Sequence, residues 1–336
     1  MNATSRINPS PVAPTGALTA QQIDSWRVHG FALVDGLIPA ELIERAQHDA
    51  LDHFGAQQAS TDFGSGGSFV FPSESKSVND ITLHPRLLGA VGQLLNASTE
   101  TFRLTQADLW AKYGRSASSN DPYDNDDQRI HVDYPNHSLT HPPPWDSPDA
   151  VEMIIYLSDV DQCEGATRVV PRTGDDDPAY PWPIIGTPGV AGLQWMNDRV
   201  SSEQYLNQAA PPIASFRADH LYSREQAVRY RPGTVLLYRH DTWHRGTPLK
   251  PGALRVVMNL TFRDVASEWI STLHQGWAWS MYRRTATMEQ IITNSSVEQR
   301  NVLGFPIPAS RYWNDATVDA VKARYPGIDM TPYEAG

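Results

Sequence analysis

His131 and Asp133 stand two residues apart in Arg129-Ile130-His131-Val132-Asp133-Tyr134. Side chains two apart on a β-strand face the same way, so one imidazole and one carboxylate are offered to a single cavity. A second histidine arriving from elsewhere would complete two nitrogen ligands and one oxygen ligand on one side of a metal. That is the facial arrangement of non-haem iron sites, which leaves further coordination positions open for chemistry. His244 is suited to this role, because it follows the apolar segment Thr234-Val235-Leu236-Leu237-Tyr238 within Asp241-Thr242-Trp243-His244-Arg245-Gly246.

Arg255 comes next, flanked by apolar residues in Leu254-Arg255-Val256-Val257-Met258. It either faces solvent from a half-buried strand or turns inward to an anion. A hairpin turning near Leu249–Pro251 would put it opposite His244 and on the same face. A planar guanidinium matches a carboxylate at two points. A dicarboxylate that chelates the metal at one end would therefore rest its other carboxylate on Arg255, which is the logic of 2-oxoglutarate as a co-substrate.

The elements that must position these residues follow from periodicity. Residues 1–18 are rich in Pro, Ala, Ser, Thr and Asn and read as a disordered tail preceding one domain over 19–336. Thr19 and Gln22 have capping-box spacing, and Gly30 is a left-handed stop, predicting a helix to about His29 and a short strand at Phe31–Val34. A second helix opens near Pro39, residues 56–80 read as loop, and Pro85–Leu95 is a third helix. From residue 101 the period changes to two. The strand Phe102–Tyr113 carries Gln106, Asp108, Trp110 and Lys112 on one face, either solvated or lining a cavity.

Residues 114–128 read as an acidic loop over the site, and Arg129–Asp133, Val151–Leu157, Ala166–Val170, Val228–Tyr230, Thr234–Tyr238 and Leu254–Phe262 as strands. The insertion 172–220 is expected to shape a pocket, with one short helix near Ser201–Gln208. A C-terminal helical region includes Ala266–Tyr282. Helices followed by many short strands predict a mainly β fold, a jelly roll with helical buttresses. His137 and His141 read as loop histidines and His240 as a surface or core residue; Trp145, Trp182 and Trp195 are candidates to line the pocket.

Composition sets outer bounds. The chain has 336 residues, a formal net charge of −11 and a single cysteine, Cys163. That charge argues against a nucleic-acid partner. One cysteine admits no intrachain disulfide and suits a reducing cytoplasm. The first residues lack the pattern of a signal peptide, and no apolar run approaches a membrane span.

The segments Val228–Arg263, His131–Tyr134 and Asp161–Pro171, with the N-terminal helix, glycine and strand, together resemble the phytanoyl-CoA dioxygenase family of Fe(II)/2-oxoglutarate oxygenases. The resemblance covers roughly residues 20–265. It implies a double-stranded β-helix, with His131, Asp133 and His244 as iron ligands and Arg255 as the clamp for the distal carboxylate of 2-oxoglutarate. It also implies Lys112 and Gln106 as further co-substrate contacts. The implied reaction consumes O2 and 2-oxoglutarate, releases succinate and CO2, and oxidises a small molecule, by hydroxylation above all, in specialised metabolism. Related halogenases have Gly or Ala at the carboxylate position, where this chain has Asp133. Two departures, Pro171-Arg172-Thr173-Gly174 after the Gly-rich turn and Glu164, separate it from the acyl-CoA members. The alternatives are a cupin-type metal-dependent isomerase or dioxygenase that does not use 2-oxoglutarate, and a non-catalytic jelly-roll module that binds a metabolite. Arg255 discriminates against the former and the complete triad against the latter.

Overall fold

The structure, a computed structural model, describes residues 6–54, 69–116, 120–267 and 287–334. Its strands are β1 (Ser10–Pro11), β2 (Phe31–Asp35), β3 (Phe69–Val70), β4 (Phe102–Tyr113), β5 (Ala150–Tyr156), β6 (Thr167–Val169), β7 (Val235–Tyr238), β8 (His244–Gly246) and β9 (Leu254–Asp264). Seven of them form one sheet in the order β1-β2-β7-β5-β9-β4-β3, and β6 pairs with β8 in a second. Bridges from His131 to His244 and from Val169 to Gln226 extend the smaller sheet on both sides. The result is a jelly roll of two sheets face to face, as the sequence predicts.

The large sheet has two unlike faces because its strands alternate. Val151, Met153, Ile155, Val235, Leu237, Val256, Met258, Leu260 and Phe262 point outward into a core shared with the helices α1 (Ala20–His29), α2 (Ala40–Phe54) and α4 (Pro85–Leu95); α3 (Lys76–Thr82) lies between the last two. Ile154, Tyr156, Leu236, Tyr238 and Val257 point the other way, toward the small sheet, and form a second apolar cluster with Val169 and Tyr230.

Helix α1 also reaches the site. Thr19 and Gln22 close a capping box at its start, and Gly30 ends it at φ 90°. Thr242 donates to the Gly30 carbonyl at 2.8 Å, and a Cβ on residue 30 would lie 2.7 Å from the Thr242 hydroxyl. Glycine is thus required both by the left-handed backbone and by this close approach. The contact ties the N-terminal helix to the loop that leads into His244.

Several expectations are corrected. Residues 6–18 are not a loose tail: β1 runs parallel to β2, and the Gln22 amide donates to Ser10 and Pro11 carbonyls at 3.1 Å. A glutamine held between cap and strand supplies the order that apolar periodicity does not. Helix α3 opens inside the expected loop 56–80, capped by Ser75. Val228–Tyr230 makes a single bridge rather than a strand. The insertion holds α7 (Arg199–Ala209) and α8 (Pro211–Phe216), to which a π-helical turn, Arg217–Tyr222, is joined; α5 (Tyr134–His137) and α6 (Val160–Cys163) are single turns. Three helices, Thr287–Asn294, Val297–Val302 and Asp315–Arg324, make up the described C-terminal region, whereas most of the expected helix Ala266–Tyr282 lies outside the described residues. No helix among the described residues is long and apolar enough to cross a membrane.

Candidate metal and co-substrate site

His131 and Asp133 come from a segment that is extended but is not a ladder strand. Its backbone is tied down piecewise. His131 and His244 exchange both backbone hydrogen bonds at 2.9 Å, and the His240 carbonyl accepts from the N–H groups of Asp133 and Tyr134. Just before them, Ile130 is held by side chains. Its N–H donates to the Tyr222 hydroxyl at 3.2 Å, and its carbonyl accepts from the Arg217 guanidinium at 2.9 Å. Arg217 is fully buried and also pairs with Glu203 at 2.7 Å. The insertion therefore backs the metal-side segment, packing Ile184 and Leu221 against Ile130, Val132 and Trp243.

His131, Asp133 and His244 each bring a ligand atom within 4.8 Å of the other two. Both imidazoles aim Nε2 at Asp133, His131 at 3.5 Å and His244 at 3.3 Å. Their Nδ1 atoms lie 3.0 Å from the carbonyls of Arg129 and Thr242, two residues upstream in each case. A carbonyl can only accept, so Nδ1 carries the proton and the Nε2 lone pair is free toward the shared space. Asp133 is itself held: Tyr238 donates to one oxygen at 2.7 Å and the Asn136 amide to the other at 3.2 Å.

The charge states suit a divalent ion. Burial, reinforced by His244, pushes the His131 pKa down to about 3, so this ring is neutral at physiological pH. Burial opposes ionisation of Asp133, but the neighbouring imidazoles outweigh it and hold the carboxyl well below its usual range. Burial likewise opposes charge on His244, yet Asp133 prevails and raises its pKa; a cation on the carboxylate would remove that effect. Two imidazoles, one ionised carboxylate and no thiolate make a donor set that fits Fe(II).

Arg255 is buried on β9, directly opposite Lys112 of β4. Its guanidinium donates to the Gly165 carbonyl, its Nε is buried without a partner, and no acidic side chain among the described residues pairs with it. The expected hairpin with His244 is not formed. The chain after β8 crosses from the small sheet to the large one, so Arg255 and His244 belong to facing sheets rather than to one ladder. Lys112 donates to the carbonyls of Asp126 and Thr247, and burial together with Arg255 pushes its pKa down to about 7. Two adjacent buried cations with one unpaired donor suit an anionic guest. Gln106 lies three strand repeats from Lys112 on the same inward face, bonded to Asp108 at 2.8 Å. The polar face of β4 thus lines the interior, the second of the two readings its sequence left open.

Sequence reasoning missed several neighbours. Glu152 is buried on β5 with His137 Nε2 3.6 Å away, and Tyr238 closes an apolar strand. A lone glutamate in the apolar run Val151–Leu157 was the available signal. His137 ends α5 rather than lying in a loop, whereas His240 is a core residue, the second of the two places expected for it, 3.3 Å from Asp149. His141 is buried and accepts from the Ile184 N–H at 2.8 Å. Trp145 stacks on Arg239 at 3.7 Å and braces the end of α1 instead of lining the pocket. The acidic loop is clasped rather than solvated: Asp124 pairs with Arg115, and Asp127 with Arg199 and Arg245.

A jelly roll with an inward His-x-Asp and distal His, and with a buried arginine that no acidic side chain among the described residues pairs with, has the make-up of a metal-dependent oxygenase. A model of the phytanoyl-CoA dioxygenase (PhyH) family matches residues 26–257, and the chain belongs to that family of Fe(II)/2-oxoglutarate-dependent dioxygenases, with iron and 2-oxoglutarate as cofactors. Among solved structures it is similar to SnoK, an alpha-ketoglutarate-dependent carbocyclase from nogalamycin biosynthesis, at 13% identity and TM-score 0.52, covering 81% of this chain and 94% of that one. The epimerase SnoN in complex with Fe3+, alpha ketoglutarate and nogalamycin RO is similar at 14% identity and TM-score 0.50, covering 76% and 86%. HygX from Streptomyces hygroscopicus, with nickel and 2-oxoglutarate bound, matches at 18% identity and TM-score 0.49, over 74% and 88%. These likenesses are of fold. No curated protein matches the sequence.

Proposed function

We propose that the chain is a single oxygenase domain over residues 19–336 that hydroxylates a small organic molecule in specialised metabolism, in the cytoplasm. His131, Asp133 and His244 bind the iron, Arg255 and Lys112 bind the distal carboxylate of 2-oxoglutarate, and Gln106 borders the co-substrate. The observation that carries this reading is the triad itself, with both Nε2 lone pairs turned to a carboxylate that two other side chains hold still.

Bound iron supplies activation of O2 coupled to oxidative decarboxylation of 2-oxoglutarate to succinate and CO2. The chain's own residues do the rest. The Arg129 and Thr242 carbonyls fix the tautomers of the two imidazoles. Tyr238 and Asn136 keep the Asp133 oxygens in place, and Arg255 would hold and orient the distal carboxylate of the keto acid. Asp133 fills the position whose loss would free a coordination site for halide, so hydroxylation is favoured over halogenation. The SnoK and SnoN folds belong to nogalamycin biosynthesis, a setting compatible with the one proposed here.

The test is oxygen-dependent succinate formation from 2-oxoglutarate by protein loaded with Fe(II). Wild type is expected to form succinate and His131→Ala to form none while keeping its melting transition. Equal succinate from both proteins refutes the ligand assignment.

A further inference from the structure

The inward face of the large sheet carries a polar strip that begins at Tyr238 and passes Gln106, and whose Glu152, Thr261, Asn259 and Asp108 neither the metal nor 2-oxoglutarate accounts for. Starting from the metal side, Tyr238 donates to Asp133 and stands opposite Glu152 in the β7–β5 register. Glu152 stands opposite Thr261 of β9, and Thr261 opposite Gln106 of β4. The side chains are joined in the same order. The Thr261 hydroxyl bonds Glu152 Oε2 at 2.5 Å and lies 3.3 Å from Gln106 Oε1, and the Gln106 amide donates to Asp108 Oδ2 at 2.8 Å. Asp108 in turn faces Asn259 across the ladder.

The strip ends in unmatched acceptors. Glu152 is 3% exposed and Asp108 6%, yet Glu152 Oε1 and Asp108 Oδ1 are buried with no hydrogen-bond partner among the described residues, as is Asn259 Oδ1 between them. Neither carboxyl forms an ion pair with a lysine or arginine among the described residues, and the nearest basic group to Glu152 is His137 at 3.6 Å. Burial raises the pKa of both acids, and a cation seated beside them would lower it again and restore their charge. Orphaned buried acceptors are costly, and a native site that keeps several of them in one strip is completed by something else. Gln106 and Asn259 are half-buried, so the strip is not wholly sealed.

We propose that this strip is the subsite for the organic substrate, and that the substrate is a small cation bearing protonated amine groups, received by Asp108 and Glu152. The unmatched carboxyl and amide oxygens of the strip are acceptors, so the complementary group is a donor, and two carboxyls that no lysine or arginine among the described residues pairs with favour a positively charged one. The position fits the chemistry, since Glu152 adjoins the residue that holds Asp133. The proposal rests on the oxygenase reading and deepens it by naming the substrate class.

The experiment uses anaerobic wild-type protein loaded with Fe(II) and 2-oxoglutarate, whose visible charge-transfer band is recorded before and during titration. The probes are 1,4-diaminobutane and cyclohexylamine, each set against its isosteric alcohol, 1,4-butanediol or cyclohexanol. The amines are expected to perturb the band at concentrations at least tenfold below the alcohols. Asp108→Asn and Glu152→Gln are each expected to reduce that preference. Alcohols that act at the same concentration as the amines overturn the proposal, and so does a preference that both variants keep. The wild-type comparison decides the matter even if neither variant folds. The band present before any probe is added reports co-substrate binding alone, so its absence counts against the oxygenase reading and not against the choice of amine over alcohol.

Discussion

Replacing Arg255 with methionine separates a co-substrate clamp from a structural arginine, because the two roles predict opposite effects on stability. In the free protein the guanidinium has one hydrogen bond, to the Gly165 carbonyl, a buried Nε with no partner, and Lys112 directly opposite. It is a buried charge with little in the fold to compensate it. A thioether of similar length removes that charge, so the unfolding free energy of the ligand-free variant should stay within about 1 kcal/mol of wild type or rise. Breaking a buried pair that serves the fold would instead cost roughly 3–5 kcal/mol. Binding of 2-oxoglutarate should suffer heavily. A two-point charge-assisted contact is worth about 3 kcal/mol, and each 1.4 kcal/mol is tenfold, so Kd is expected to rise on the order of 100-fold. Calorimetric titration of iron-loaded protein without oxygen gives Kd, and urea unfolding gives stability. A Kd within threefold of wild type, or a loss of several kcal/mol of stability with binding intact, refutes the clamp. The variant should also raise the Lys112 pKa from about 7, since Arg255 is one of the groups that depress it.

Three further outcomes follow from the same geometry. Tyr238→Phe removes the hydroxyl that steadies Asp133 without changing the packing of β7, and iron affinity should fall about 10-fold or more in competition with a chelator; unchanged affinity would show that Asn136 suffices. Arg217→Met deletes a fully buried guanidinium that holds Ile130 and pairs with Glu203, and urea unfolding should show a loss of about 3 kcal/mol, unlike Arg255→Met; a loss below 1 kcal/mol would mean that the insertion does not support the metal-side segment. Lys112 is depressed to about 7 in the free protein, and an anion bound beside it raises that value, so binding takes up a proton. The affinity for 2-oxoglutarate at saturating iron should therefore weaken as pH rises above about 7, and Lys112→Met should abolish this slope; a slope that survives in the variant assigns it to another group.

How much of this was legible in the sequence depends on what holds each part together. Helices α1 and α4 and strand β4 were readable to their ends, because a capping box, a proline at the first turn and a clean period of two are local signals. The triad was readable because two of its members share a strand-like tripeptide and the third follows an apolar strand. The segment 129–133 was harder. It bridges a neighbouring chain segment at His131 alone, and among its other backbone groups several are satisfied by Arg217, Tyr222 and the Asn197 and His240 carbonyls, none of them nearby in sequence. The same holds for residues 6–18, ordered by Gln22, by pairing with β2 and by backbone bonds to Ala227 and Arg229, and for the acidic loop, whose charges are matched by Arg199 and Arg245 from distant elements. Arg255 was correctly turned inward but given the wrong neighbour, because alternation fixes the face of a strand and not the sheet it joins. Glu152 was hidden by the apolar run around it, although alternation with Ile154 and Tyr156 already set its face.

The most direct test of the central claim is anaerobic titration of the Fe(II)-loaded protein with 2-oxoglutarate, followed by visible spectroscopy. A charge-transfer band that saturates with one equivalent of 2-oxoglutarate, is absent in His244→Ala and needs far more keto acid in Arg255→Met is the predicted result. Iron binding without any band would contradict the co-substrate assignment and favour a metal-dependent isomerase or a metabolite-binding module. Failure to bind iron at all would contradict the triad.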